Sequence, residues 1–180
     1  VWRSGMRWTL GSLFMYVGLA GWILGGVGAL LDATVQFNTL LHNTLWVPGH
    51  FHSYLLGGSL YFALGWVFQT LEERTGLRTT SSVRWLVAVS VFGGTTLFVA
   101  SFYVAGAAGV PRRFALAQDP SAALAGLGSL GAMLLIAGLG VCLVEGVRLW
   151  RNGRRTAVQV GPAAAPALGG ATHFSEAQGD

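Results

Sequence analysis

The sequence predicts an all-α membrane protein of four transmembrane helices, on three observations. Of its 180 residues, 53% are hydrophobic and only 10% charged, where an ordinary soluble domain carries about 25% charged residues. Mean hydropathy is +0.57. Four apolar blocks each exceed the roughly 20 residues needed to cross about 30 Å of hydrocarbon at about 1.5 Å per residue. No block alternates with period two, as a barrel strand would. A backbone in lipid must satisfy its own hydrogen bonds, so the blocks read as helices. This composition excludes a soluble enzyme, a disordered chain and a nucleic-acid-binding module.

The first predicted helix spans Thr9 to Leu31, with Asp32 capping its outer end. Gly21, Gly25 and Ala29 give it a thin face, which lets helix backbones approach closely in lipid. The second spans Pro48 to Thr70; proline suits a first helical turn, where its missing N–H is no loss. Gly57, Gly58 and Gly65 thin one of its faces. The third covers Val83 to Ala108 and the fourth Ala122 to Trp150, which contains the single cysteine, Cys142, as a core hydrophobe. Trp8, Trp46, Trp85 and Trp150 lie near block ends, as an interfacial belt requires. Residues 1–150 form the membrane part. Residues 151–180, rich in Ala, Gly and Pro beyond Thr156, are expected to be a disordered cytoplasmic tail. The chain starts at Val1, without a signal-peptide pattern, and is expected to be a fragment of a longer polypeptide.

The formal charge is +4, and all eleven basic residues are arginine. Arg3 and Arg7 precede the first block; Arg74, Arg78 and Arg84 surround the second connection; Arg148, Arg151, Arg154 and Arg155 follow the fourth block. From Asp32 to Val47 there is none. The positive-inside rule therefore puts both termini and the second connection in the cytoplasm. Glu72 and Glu73 are expected on a solvated loop face, and Glu145 is expected to pair with Arg148 three residues on. Arg112 and Arg113, in GVPRRF, break the rule by falling on the outer side, where two adjacent guanidiniums call for a specific anion.

Three of the four histidines, His42, His50 and His52, lie in HNTLWVPGHFH. Ionisable groups in a membrane helix are costly and default to function. Residues two apart on a helix diverge by about 200°, so His50 and His52 cannot readily share one metal but can each serve its own centre. No cysteine or carboxylate accompanies them to build a zinc site. Haem needs one axial histidine from a given helix, and its propionates would occupy Arg112 and Arg113. The residues thus point to a membrane protein holding two haems from one helix.

The runs LLHNTLWVPGHFHSYL and AGVPRRF together resemble subunit I of the haem-copper oxygen reductases, over about residues 5–150, as the last four of that family's twelve core helices. The resemblance implies that His50 is the axial ligand of the high-spin haem and His52 an axial ligand of the low-spin haem. Phe51 then lies on the electron path between them. Arg112 and Arg113 would bind haem propionates, with His42 near those propionates. Asn43 stands where many members have an acid that helps bind magnesium; an amide is a weaker ligand for a hard cation, so that site is not expected. The form HNT-x-WVPGHFH is more like the B-type branch. The active-site copper would be held by residues outside this chain, so the chain alone could not reduce oxygen. Implied partners are the rest of subunit I, subunit II and other oxidase subunits, a donor such as cytochrome c, dioxygen and membrane lipid, in a prokaryotic plasma membrane. The implied function is reduction of dioxygen to water coupled to proton translocation. The alternatives are a nitric oxide reductase-like haem protein and a cofactor-free membrane scaffold or transporter segment.

Overall fold

The computed structural model describes residues 8–113 and 121–160, and they are almost wholly helical. Helix α1 (Leu10–Ala33) leads into a short α2 (Val35–Leu41). Helix α3 covers residues 46–75: an α-helical segment Trp46–Tyr54, a π-helical turn Leu55–Leu60 and a second α-helical segment Tyr61–Thr75. Helix α4 covers residues 81–107 and has its own π-turn, Ala88–Gly93. Helix α5 is Ser121–Val160.

The predicted spans agree with α1, α3, α4 and α5 in place and order, with three differences. Among the described residues, three helices are long and apolar enough to cross a membrane: Leu10–Ala33, Ser81–Ala107 and Ala122–Arg154. Helix α3 is as long, but His50, His52, Ser53 and Ser59 dilute its apolarity; packing against α1 and α4 holds it in the bundle. The second difference is α2, which forms within the stretch expected to be a loop. The third is the tail, because α5 continues to Val160 through residues expected to be disordered. Its first Gly-Pro stop is at Gly161 and Pro162, and Arg154 stacks over Trp150 at 4.1 Å, supporting the turns beyond the predicted end. The rest of the tail, including His173, lies outside the described residues.

Each start and stop has a local cause. Thr9 and Ser12 form a reciprocal capping box at the head of α1, with bonds of 3.0 and 2.9 Å, satisfying two orphan donors. At the other end Asp32 does not cap: α1 runs on to Ala33, and the Asp32 carbonyl accepts from Asn38 at 2.8 Å. Gly76, at φ +67°, ends α3 in the left-handed region that glycine enters without strain.

The helices pack antiparallel in chain order. Along α1, Gly11, Gly18, Gly21, Gly25 and Gly28 face α3 from Gln69 up to His50. At Gly21 a Cβ would stand 2.5 Å from the Gly57 carbonyl carbon and 2.9 Å from its Cα, so only glycine permits the approach. Lipid supplies no hydrophobic drive between helices, so this contact area is what associates them. The core lies in the half of the bundle away from the histidines. It includes Phe14, Tyr61, Phe68, Val91, Leu135 and Cys142, with Phe14 touching Tyr61, Phe68 and Phe92 at ring separations of 5.6, 6.0 and 5.1 Å.

At that end the turn between α3 and α4 is tied down. Glu72, expected on a solvated face, is only 3% exposed. Its carboxylate accepts from the Thr79 backbone N–H at 3.1 Å and faces Arg78 at 3.7 Å. The Thr79 hydrogen bond and the facing Arg78 charge offset part of the cost of burial, while Glu72 Oε2 has no hydrogen-bond partner among the described residues. Glu73 is exposed and takes a bond from Gln69. Glu145 holds Arg148 through two bonds of 2.6 and 2.7 Å, as its spacing predicts.

Candidate functional site

His50 and His52 occupy the α-helical segment of α3 ahead of its π-turn, so the 100° step that separates them applies directly. His50 faces α1: its Nδ1 stands against the Gly28 backbone, 3.2 Å from where a Cβ would be, and its ring meets Tyr54 edge-on at 5.2 Å. His52 faces α4, stacked on Phe102 at 5.6 Å and edge-on to Phe98 at 5.3 Å. The two imidazoles therefore serve opposite flanks of one helix. Among the described residues no three His, Cys, Asp or Glu side chains converge on a point.

The His52 ring is fixed in tautomer as well as in plane. Its Nδ1 lies 2.7 Å from the Pro48 carbonyl. A carbonyl only accepts, so Nδ1 carries the hydrogen and Nε2 keeps its lone pair. Proline has a part in this: it lacks an N–H and stands in the first turn, and its carbonyl, four residues back, takes the side chain. A ring held by one nitrogen and free at the other is how proteins prepare a histidine for a metal. His50 differs, because its Nδ1 is buried with no hydrogen-bond partner among the described residues. Phe51, between them, is 57% exposed.

The arginine loop is clamped to the histidine helix by backbone bonds. Thr44 and Pro111 form an isolated antiparallel bridge. The Leu45 N–H donates to the Val110 carbonyl at 2.9 Å, and the Arg112 N–H donates to the Asn43 carbonyl at 2.8 Å. This juxtaposes HNTL and VPRR at the same end of the bundle, the relation expected from counting helices. Close approach makes it possible: a Cβ on Gly106 would lie 2.5 Å from the Trp46 Cα. Arg112 is half-buried and its Nε is enclosed, with no hydrogen-bond partner among the described residues. Arg113 is exposed, with φ +77°, a left-handed conformation that costs a non-glycine residue on the order of 1 kcal/mol or more. His42, exposed at the end of α2, lines a cavity of about 440 Å³ with Asn38, Asn43, Gly109 and Pro111.

Three buried nitrogens at this end, Trp46 Nε1, His50 Nδ1 and Arg112 Nε, have no acceptor among the described residues. Buried donors are ordinarily paired. Two of them suit carboxylate oxygens and the third a ligating imidazole, so the donor set fits a haem and its propionates. Sequence reasoning missed Trp46 in this role, and also Ser53, Phe98, Phe102 and Tyr103. Only their spacing from the histidines across the fold singles them out, and no local signal carries that.

The family model described as "Cytochrome C and Quinol oxidase polypeptide I" matches residues 1–142. Cytochrome c oxidase subunit 1 of Thermus thermophilus is 34% identical over 125 residues, 67% of this chain and 22% of the relative. The Synechocystis subunit 1 is 28% identical over 137 residues, 76% of this chain and 25% of the relative. The Halobacterium salinarum polypeptide 1 is 28% identical over 160 residues, 86% of this chain and 26% of the relative. The chain thus spans about a quarter of the length of the curated relatives it matches. A heme-copper terminal oxidase dimer solved by cryo-electron microscopy shares the fold at TM-score 0.65 and 21% identity, covering 78% of this chain and 26% of that one.

Proposed function

The chain belongs to the cytochrome c and quinol oxidase polypeptide I family, and from that premise we propose that it is the haem-ligating C-terminal part of the catalytic subunit of a respiratory terminal oxidase. The observation that carries this reading is the divergence of His50 and His52 from one helix, with the Arg112 and Arg113 loop bonded to the same helix start. When bound, the haems and an active-site copper held outside this chain supply electron transfer and the reduction of dioxygen to water.

The chain's own part is to hold, orient and screen. His52 presents Nε2 to the low-spin haem iron because Pro48 holds Nδ1–H, while Phe98 and Phe102 keep the ring from turning. His50 ligates the high-spin haem iron on the other flank. Phe51 lies between the two ligands and shortens the through-protein route for electrons. Arg112 and Arg113 take the propionates, in a setting where charge-assisted bonds are stronger than in water. His42 borders the cavity lined by Asn43, Gly109 and Pro111 at that end of the bundle and can pass protons from that face. The orientation with both termini in the cytoplasm follows from the arginine distribution, and coupling to proton translocation follows the family. Partners are the remainder of subunit I, subunit II and a cytochrome c-type donor.

The test is spectral, on the assembled oxidase with its complete subunit I. Replacing His52 with alanine should abolish the low-spin haem bands and keep the high-spin signals. Replacing His50 should do the reverse. Loss of only the high-spin signals in His52→Ala would reverse the assignment, and an oxidase with no haem absorption would end the reading.

A further inference from the structure

His50 leaves an unanswered donor. A ligating imidazole binds iron through one nitrogen and carries hydrogen on the other, and that N–H needs an acceptor when it is buried. His50 Nδ1 is buried and unpaired among the described residues. One hydroxyl stands beside it. The Tyr103 Oη and the His50 Nδ1 crowd the same point of α1, lying 2.8 and 3.2 Å from where a Cβ on Gly28 would be. They therefore lie at most about 6 Å apart, a span that one water can bridge. A side chain at position 28 would separate them.

The proton order around Tyr103 decides its direction. The Ser53 hydroxyl donates to the His50 carbonyl at 2.7 Å, so its single hydrogen is spent. The Ser53 Oγ also lies 3.1 Å from the Tyr103 Oη; Tyr103 must donate in that bond. This spends the phenol hydrogen and leaves a Tyr103 lone pair as acceptor. We propose that Tyr103, on α4, accepts the His50 Nδ1–H, directly or through one bridging water, and so is a positioning residue that sets the orientation and basicity of the high-spin haem's axial ligand. The chain of donors then closes on itself: His50 ring to Tyr103, Tyr103 to Ser53, Ser53 to the His50 backbone. Helix α4 thereby acts on both haem ligands, through Phe98 and Phe102 on His52 and through Tyr103 on His50. This inference rests on the assignment of His50 as a haem ligand.

The test is resonance Raman spectroscopy of the ferrous oxidase, reading the iron–histidine stretching band of the high-spin haem. Tyr103→Phe removes only the hydroxyl. It should shift the band to lower frequency, because an imidazole that loses its acceptor is a weaker electron donor, while the low-spin bands stay in place. Ser53→Ala should shift the band the same way by less; should Tyr103→Phe fail to assemble, this variant alone decides. A band at the wild-type frequency in the variant, with the band abolished by His50→Gly, overturns the role of Tyr103 and leaves the ligand assignment standing. A band that survives His50→Gly ends both.

Discussion

Replacing Gly21 with alanine adds one methyl group where α1 and α3 touch backbone to backbone. That carbon would stand 2.5 Å from the Gly57 carbonyl carbon and 2.9 Å from its Cα, whereas ordinary contact begins at 3.4 Å. Both neighbours are main chain and cannot swing aside, so the helices must part by roughly 1 Å. A gap of about 0.5–1 Å forfeits a quarter to a half of each dispersion contact, and overpacking of this kind costs about 1–3 kcal/mol. The seam continues up to Gly28 and His50, so the change also reaches the His50 ring. Gly140→Ala is the control: nothing lies within 4 Å of it, and helix propensity there favours alanine by about 1 kcal/mol. Thermal denaturation of the detergent-solubilised oxidase, followed by haem absorbance, should give a lower midpoint for Gly21→Ala and an unchanged or higher one for Gly140→Ala. Equal midpoints for the two variants would refute the claim that the glycine seam carries the packing.

Three further outcomes follow from the same structure. Glu72→Ala strips the acceptor from the buried Thr79 N–H and should cost about 1–3 kcal/mol, seen as faster proteolysis between residues 76 and 80; Glu73→Ala, on the exposed face, should be close to neutral. Arg112→Gln removes a positive charge beside the proposed propionates. It should therefore lower haem midpoint potentials in a spectroelectrochemical titration, since that charge favours the reduced, less positive iron; unchanged potentials would count against the contact. Cys142, buried in the core, should resist maleimide labelling in the folded oxidase and react fully in denaturing detergent.

Much of the fold is legible because lipid simplifies it. A membrane helix must be long, apolar and internally bonded, so α1, α4 and α5 stand out in any reading of the chain. The opposed directions of His50 and His52 are equally legible, being a matter of helical angle alone. What escaped depends on distant partners. The burial of Glu72 requires Thr79 and Arg78 to fold back over it. The two π-turns arise inside apolar runs that read like any other. Tyr103 is one aromatic among many in its block, and only the chain's return past α3 brings its hydroxyl to Ser53 and Gly28. The arginine pair is an intermediate case: helix counting puts it at the right end, while the bridge between Thr44 and Pro111 had no signature.

The π-turn at Leu55–Leu60 follows the ligand-bearing segment at once. In such a turn the backbone bonds reach one residue further than in an α-helix, so it absorbs a surplus residue. Since each residue is worth about 100° of rotation, the turn lets the upper and lower halves of α3 keep different angular settings: the upper turns His50 toward α1 and His52 toward α4, while the lower sets Gln69 against Gly11 of α1. Deleting a single residue within it would wind the helix back to regular pitch, and both imidazoles would swing off the flanks they now face while the core below stayed intact.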